Sequence, residues 1–313
     1  MTNDTVTPWL LDSDPSIRWQ VMRDLTHDPD DAVAAERSRV ASEGWGARLL
    51  ARQHEDGTWS DRAKPKWECT LYTLLLLRAM GLDPKSEAAR QAVALVRDGF
   101  TWGPEFGDAS FFEGEVEPCI NGGVLALGGY FGEPSDRLAD RLLGEQLEDG
   151  GWNCEAPKSR RSSFHTTICV LEGLLEYEKA KGATTAVTAA RISGQEYLLE
   201  RRLFRKVATG EVVDRNWPRF SFPTTWHYDV LRGLDYLRSA AVEPDERVAE
   251  AVALVETSRQ QDGRWPLEYP HPDPPRRWSY PISFDMEGGE GRASRWNTLR
   301  ALRVLDWYAD PIS

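Results

Sequence analysis

What the chain lacks narrows it first. It has only four cysteines in 313 residues, Cys69, Cys119, Cys154 and Cys169, and no CxxC pair. That is too few and too scattered for a disulfide framework or a self-contained zinc knuckle, so reduced thiols are expected. Long apolar runs are missing as well: the stretch Leu74 to Leu77 is cut at Arg78, far short of a membrane span. The N-terminal segment MTNDTVTPWLLDSDP has no basic region of the kind that opens a secretory signal, which points to a cytoplasmic protein. Positive charge is in deficit, 38 Lys plus Arg against 50 Asp plus Glu, and the net charge of -12 disfavours nucleic acid and anionic lipid as partners. There is no Walker loop, GxGxxG, GxSxG or HExxH, which removes common signatures of nucleotide, serine-hydrolase and zinc-protease chemistry.

What remains is an ordinary globular composition with one excess. Hydrophobic residues make up 41% and charged residues 28%, enough for one large domain spanning 1–313 with a substantial core. The excess is tryptophan, 13 residues. Several of them fall in a repeat. Gln53-His54-Glu55-Asp56-Gly57-Thr58-Trp59 and Gln146-Leu147-Glu148-Asp149-Gly150-Gly151-Trp152 are both QxxDGxW, and Arg259 to Trp265 keeps the DGxW half. Asp98-Gly99 with Trp102, and Asn216-Trp217-Pro218, read as eroded copies. Trp59, Trp102, Trp152, Trp217 and Trp265 are 43, 50, 65 and 48 residues apart, the length of a helix pair with its loops.

Helical periodicity brackets each copy. The apolar, small-residue-rich patterns that follow predict inner helices at 67–80, 119–130, 164–177, 226–237 and 296–308. A further one lies near the N-terminus, because Arg18 to Leu25 (RWQVMRDL) is kin to Arg295 to Leu302 (RWNTLRAL). Outer helices are predicted at 31–53, 86–98, 135–147, 186–202 and 245–260, with a sixth left unplaced. The segment Pro266 to Gly291 holds six prolines and reads as a long loop or lid. Within each repeat, Gln is expected to cap the outer helix, Asp-Gly to supply a turn at positive φ, and Trp to staple one pair to the next.

QxxDGxW across nearly the whole chain resembles the signature repeat of the squalene cyclase and protein prenyltransferase superfamily. The resemblance implies an all-α, (α/α)6 toroid, a double ring of inner and outer helices, whose site is a central funnel at the N-terminal turns of the inner helices. The length is similar to that of a prenyltransferase β subunit, for which the resemblance implies a partner α subunit. The GCGEQ thioester of complement-type toroids is absent.

Aligning the inner-helix starts puts Glu68, Cys119, His165, Thr225 and Trp296 in one register and Thr70, Asn121, Thr167, His227 and Thr298 two residues on. Glu117, Cys119 and His165 offer a carboxylate, a thiolate and an imidazole, a three-ligand zinc set with an open fourth position. Their pattern is similar to the Asp-x-Cys and His of prenyltransferases, with Glu in place of Asp. His227, Asp229 and Glu68 are candidate acid and base groups. Trp67, Trp226, Tyr228 and Trp296, with Asn121, are candidate walls for an isoprenoid substrate, as is Trp19. Lys64, Lys66, Arg160, Arg161, Arg276 and Arg277 are candidates for holding a diphosphate, against a plain solvated face.

Asp28-Pro29-Asp30-Asp31 is a literal DxDD, the acid motif of class II terpene cyclases, yet its place suits an ordinary helix start. Asp12, Asp14, Asp285 and Glu287 are weaker candidate acids. The reading is therefore a terpene cyclase or prenyltransferase-like enzyme acting on an apolar isoprenoid, assisted by zinc. The alternatives are a metal-free cyclase using a carboxylic acid, a carbohydrate-active (α/α)6 enzyme with paired carboxylates such as Glu68, Asp229 or Asp285, and a non-catalytic prenyl- or partner-binding toroid.

Overall fold

A computed structural model describes residues 3–60, 65–269 and 286–309. Among them helices alternate along the chain: α1 (Asn3–Leu11), α2 (Pro15–Asp24), α3 (Asp30–Ser38), α4 (Gly44–Leu50), α5 (Lys66–Met80), α6 (Glu87–Gly99), α7 (Pro118–Phe131), α8 (Asp136–Gly144), α9 (Phe164–Lys181), α10 (Thr185–Glu200), α11 (Val230–Ser239), α12 (Ala249–Thr257) and α13 (Arg295–Ala309). No strand forms among the described residues, only isolated bridges such as Thr101 to Ser110, so the fold is all-α.

Two predicted helices differ from what forms. The outer helix expected at 31–53 is broken, because Gly44 takes φ 63° and the Asp14 carboxylate accepts the Trp45 N–H at 2.7 Å there. A Cβ on Gly44 would lie 2.0 Å from Asp14 Oδ2, so the break requires glycine. The inner helix expected from Trp226 begins four residues later. Thr225 turns through φ 50°, and Asp229 becomes the N-cap, accepting the Arg232 N–H at 2.7 Å.

The three QxxDGxW-like turns share one hydrogen-bond pattern. The indole Nε1 of Trp59, Trp152 and Trp265 donates to a carbonyl ten residues back, on Leu49 (2.8 Å), Leu142 (2.7 Å) and Val255 (2.7 Å), at the end of α4, α8 and α12. The tryptophan therefore caps the helix that precedes its turn, a role expected of the glutamine. Gln53 and Gln146 instead hold their own turn, through Gly57 O and Gly150 O, and reach forward to Ala92 O on α6 and Ala190 O on α10. In the third copy the Arg259 guanidinium donates to Gly263 O at 3.3 Å, the carbonyl equivalent to those of Gly57 and Gly150. The backbone N–H of each tryptophan donates to a threonine hydroxyl, Thr70 (3.2 Å), Thr167 (3.0 Å) or Thr298 (3.0 Å). These threonines, aligned above as funnel groups, are part of the turns. Trp102 departs from the pattern and donates forward to Phe111 O.

The chain divides into two compact units. One comprises Leu49–Ala79 and Pro84–Leu198, and its centre is the close pair α7 and α9. A Cβ on Gly122 would lie 2.5 Å from Cys169 O, and one on Gly129 would lie 2.5 Å from Glu176 O, so the two backbones touch where these residues carry no side chain. The other unit comprises Met1–Arg48, Met80–Asp83 and Leu199–Ser313, and in it α13 packs against both α11 and α2. Kinship of the RWxxxRxL segments thus coincides with direct packing. A buried charge set joins these helices: Arg303 pairs with Asp24 and donates to Gln20 Oε1 at 2.9 Å, while Arg300 lies 3.6 Å from Asp235 and donates to Ser221 O at 3.0 Å.

Candidate functional site

The donor-rich place in the first of these units is built by the starts of α7 and α9. Ahead of α7 the backbone at Glu115 is bracketed by Asn121, whose Oδ1 accepts the Glu115 N–H at 2.8 Å and whose Nδ2 donates to Glu115 O at 3.2 Å. Arg141 of α8 holds the same stretch through Glu115 O and Val116 O. Buried Glu115 then accepts the Glu117 N–H at 2.5 Å, and its own carboxyl is raised above the ordinary range, mainly by burial. The result is a fixed approach to Pro118, with Cys119 in the first helical turn. Asn121, a candidate substrate contact, is fully buried in this bracket.

Cys154 arrives from the other side. The Trp152 N–H is anchored on Thr167, and two residues later Cys154 meets the first turn of α9, its Sγ 3.4 Å from Thr166 Oγ1 and its N–H donating to the same oxygen at 3.4 Å. Glu117, Cys119 and Cys154 thereby place one carboxylate oxygen and two sulphurs within 4.8 Å of one another. Cys119 Sγ is 3.8 Å from Glu117 Oε2. Glu117 is exposed and the cysteines are half-buried. The neighbouring Cys154 thiol, together with burial, raises the pKa of Cys119 above the ordinary thiol value.

The resemblance implied Glu117, Cys119 and His165 as the donors. Glu117 and Cys119 do come together, but the third donor in the group is Cys154, and His165, half-buried at the second position of α9, is not part of it. Bonds of ~2.0 Å to oxygen and ~2.3 Å to sulphur in a tetrahedron put neighbouring ligands about 3.5 Å apart. One edge, 3.8 Å, is already near that spacing, and the others, within 4.8 Å, need to close by up to about 1.3 Å. The donor types, two thiols and a carboxylate, suit zinc and leave a fourth corner open.

The remaining candidates are distributed over both units. Glu68 is buried in the first turn of α5, and neighbouring Trp67 packs on Trp102 with ring centroids 6.0 Å apart. In the other unit, His227 Nδ1 is 3.0 Å from Thr225 Oγ1 and the imidazole stacks on Trp226 at 3.9 Å. Tyr228 is fully buried and donates its hydroxyl to Leu203 O at 2.7 Å. Besides capping α11, Asp229 accepts from Ser221 N–H and Oγ–H at 3.1 and 3.0 Å. Trp19, also buried, donates its indole N–H to Met80 O at 2.9 Å.

Trp296 is buried between Phe222, with centroids 4.2 Å apart, and Trp45, at 6.3 Å, and its indole Nε1 has no hydrogen-bond partner among the described residues. Half-buried Glu287 accepts the Trp296 N–H at 3.1 Å, and burial raises its carboxyl above the ordinary range despite donors at Ser294 and Arg295. In the DxDD stretch, Asp30 and Asp31 open α3 with Pro29 as its cap, an ordinary helix start. Asp14 caps α2. Lys66 pairs with Asp56 at 2.7 Å, and Arg160 and Arg161 are exposed. Lys64, Arg276, Arg277 and Asp285 lie outside the described residues, as does most of the Pro266 to Gly291 loop.

No protein-family model matches the chain, and no curated protein matches it. Solved structures do resemble it, among them the following distant ones. One is a protein from Actinoplanes, 19% identical, with 95% of this chain and 91% of that one covered and a TM-score of 0.45. Another is the type II terpene cyclase MstE from Scytonema, 19% identical, covering 95% and 88% with a TM-score of 0.47. A variant of that cyclase in complex with geranylgeranyl dihydroxybenzoate matches at 19% identity, 97% and 87% coverage, and a TM-score of 0.46. These likenesses are too slight to bear on activity or substrate. Among the described residues no helix is long and apolar enough to cross a membrane.

Proposed function

We propose that this protein is a terpene cyclase or prenyltransferase-like enzyme with an α/α toroid, acting on an apolar isoprenoid substrate with the help of a metal. The observation that carries the reading is the repeat itself. Three turns with QxxDGxW or its DGxW half share the same tryptophan-to-helix and tryptophan-to-threonine hydrogen bonds, so the motif behind the resemblance is a working structural unit here.

Metal assistance is supported by Glu117 and Cys119, whose donor atoms converge at the start of α7. A zinc ion bound there would activate a nucleophile or polarise an oxygen on the substrate. What the chain's own residues contribute is placement: Asn121 and Arg141 fix the approach to α7, and the α7–α9 contact at Gly122 sets where Cys119 sits relative to the start of α9.

The test is to incubate the full-length protein with prenyl diphosphates of increasing chain length and with squalene, and to look for new products by mass spectrometry, with and without a chelator. Products that disappear with chelator and return with zinc support the reading; no turnover of any isoprenoid contradicts it. A metal-free reading is favoured by one observation, the burial-raised carboxyl of Glu287 next to the Trp296–Phe222 stack. Turnover that ignores the chelator but is lost in Glu287→Gln selects that reading instead.

A further inference from the structure

We infer that Cys154 is a metal ligand, forming with Glu117 and Cys119 a donor set of two sulphurs and one oxygen for a thiophilic divalent cation such as zinc. The inference rests on the metal-assisted reading above and adds a donor from a different place, the loop that leaves the second QxxDGxW turn.

Three observations carry it. First, the three donor atoms all lie within 4.8 Å of one another although they come from separate stretches of chain, 117–119 and 154. Second, each stretch is held independently. Cys119 is fixed by the first turn of α7, with the bracket at Glu115 ahead of it. Cys154 is fixed by the Trp152–Thr167 and Cys154–Thr166 hydrogen bonds. Thr166 Oγ1, 3.4 Å from Cys154 Sγ, is placed to orient that sulphur, as partners outside a metal's own ligands commonly do. Third, among the described residues no lysine or arginine pairs with Glu117, and the side-chain hydrogen-bond partners of Cys119 and Cys154 are Glu117 and Thr166, neither of them a cation. A divalent cation bound there would offset the negative charge of Glu117.

The donor types also say which cation. Sulphur pairs select zinc and similar soft ions over magnesium or calcium, and exposed Glu117 can close the last distance by a rotamer change. A fourth corner stays available to water or substrate.

The experiment uses the full chain and the variants Cys119→Ser, Cys154→Ser, Cys154→Asp and His165→Ala. Bound zinc is measured by elemental analysis after growth in zinc-replete medium. The cobalt(II)-substituted protein is then read for sulphur-to-cobalt charge-transfer absorption, with far-UV circular dichroism to confirm folding. Expected is near-stoichiometric metal in the parent, a loss of affinity of more than about tenfold in Cys119→Ser and Cys154→Ser, and retention in His165→Ala. Cys154→Asp should regain metal with a weaker charge-transfer band, which a merely structural cysteine would not produce. Full metal and an unchanged band in Cys154→Ser, with loss in His165→Ala, overturns the inference but leaves metal assistance standing. Absence of metal from every protein, parent included, overturns both, while isoprenoid turnover remains a separate reading.

Discussion

The two units pack their helices differently. In one, α7 and α9 meet through glycines, with Gly122 and Gly129 against carbonyls of the facing helix, and the polar groups at their starts include, beside Asn121 and Thr167 that hold the adjoining turns, two sulphurs and a carboxylate close to one another. In the other, α13 meets α11 and α2 through buried charge, and the polar groups at those starts are taken up by structure. Asp229 caps α11 and holds Ser221, Thr298 holds the Trp265 turn, and Arg300 supports Ser221 O. The contrast teaches where chemistry has room. A carboxylate with its lone pairs occupied by backbone donors serves the fold, whereas a half-exposed cluster of donors that no lysine or arginine among the described residues pairs with is where the proposed metal would sit.

The largest effect should come from breaking the charged side of the comparison. Replacing Arg303 by Met leaves Asp24 and Asp235 short of a partner and should cost about 3–5 kcal/mol, measured by urea unfolding; a change below about 1 kcal/mol would mean the network is solvated rather than structural. The same network predicts a pH dependence. Burial disfavours charge on Asp24, but its bond to Arg23 and the charges of Arg303, Arg23 and Arg238 outweigh this, so its pKa lies below the ordinary value. Its contribution is then complete above the unfolded-state pKa and lost as pH falls through the folded one. Asp24→Asn should flatten the acid limb of stability against pH, and an unaltered limb would contradict the assignment.

On the glycine side, Gly122→Ala puts a methyl 2.5 Å from Cys169 O and should destabilise by about 1–3 kcal/mol while lowering metal affinity through displacement of α7. Unchanged stability would show that α7 and α9 adjust easily. Smaller still, Thr167→Val removes the acceptor for the buried Trp152 N–H and should cost about 1–2 kcal/mol in thermal unfolding, with Thr298→Val giving a matching loss for Trp265. Arg259→Gln restores a full QxxDGxW in the third copy and should shift stability by less than about 0.5 kcal/mol, since Arg259 already supplies the turn's hydrogen bond.

Much of this was legible in the chain. The predicted starts of α5, α7, α9 and α13 agree with the structure to within a residue, because apolar periodicity and the repeat both mark them. The start of α11 was hidden: Trp226 to Asp229 has helix-compatible residues, and only the turn at Thr225 with the Asp229 cap shows that the helix begins later. The break before α4 was equally hidden, since it depends on Asp14 reaching Trp45 from 31 residues away. Of the donor set, Glu117 and Cys119 could be named from their spacing and the resemblance. Cys154 could not, because its relation to Cys119 exists only through the packing of α7 on α9. The one signal was that it directly follows a repeat turn, Trp152-Asn153-Cys154, whose position the repeat fixes.

X-ray absorption at the zinc edge of the metal-loaded, full-length protein tests the central claim most directly. The account predicts two sulphur neighbours at about 2.3 Å with oxygen or nitrogen completing the shell; a shell of oxygen and nitrogen alone, or with a single sulphur, would contradict it.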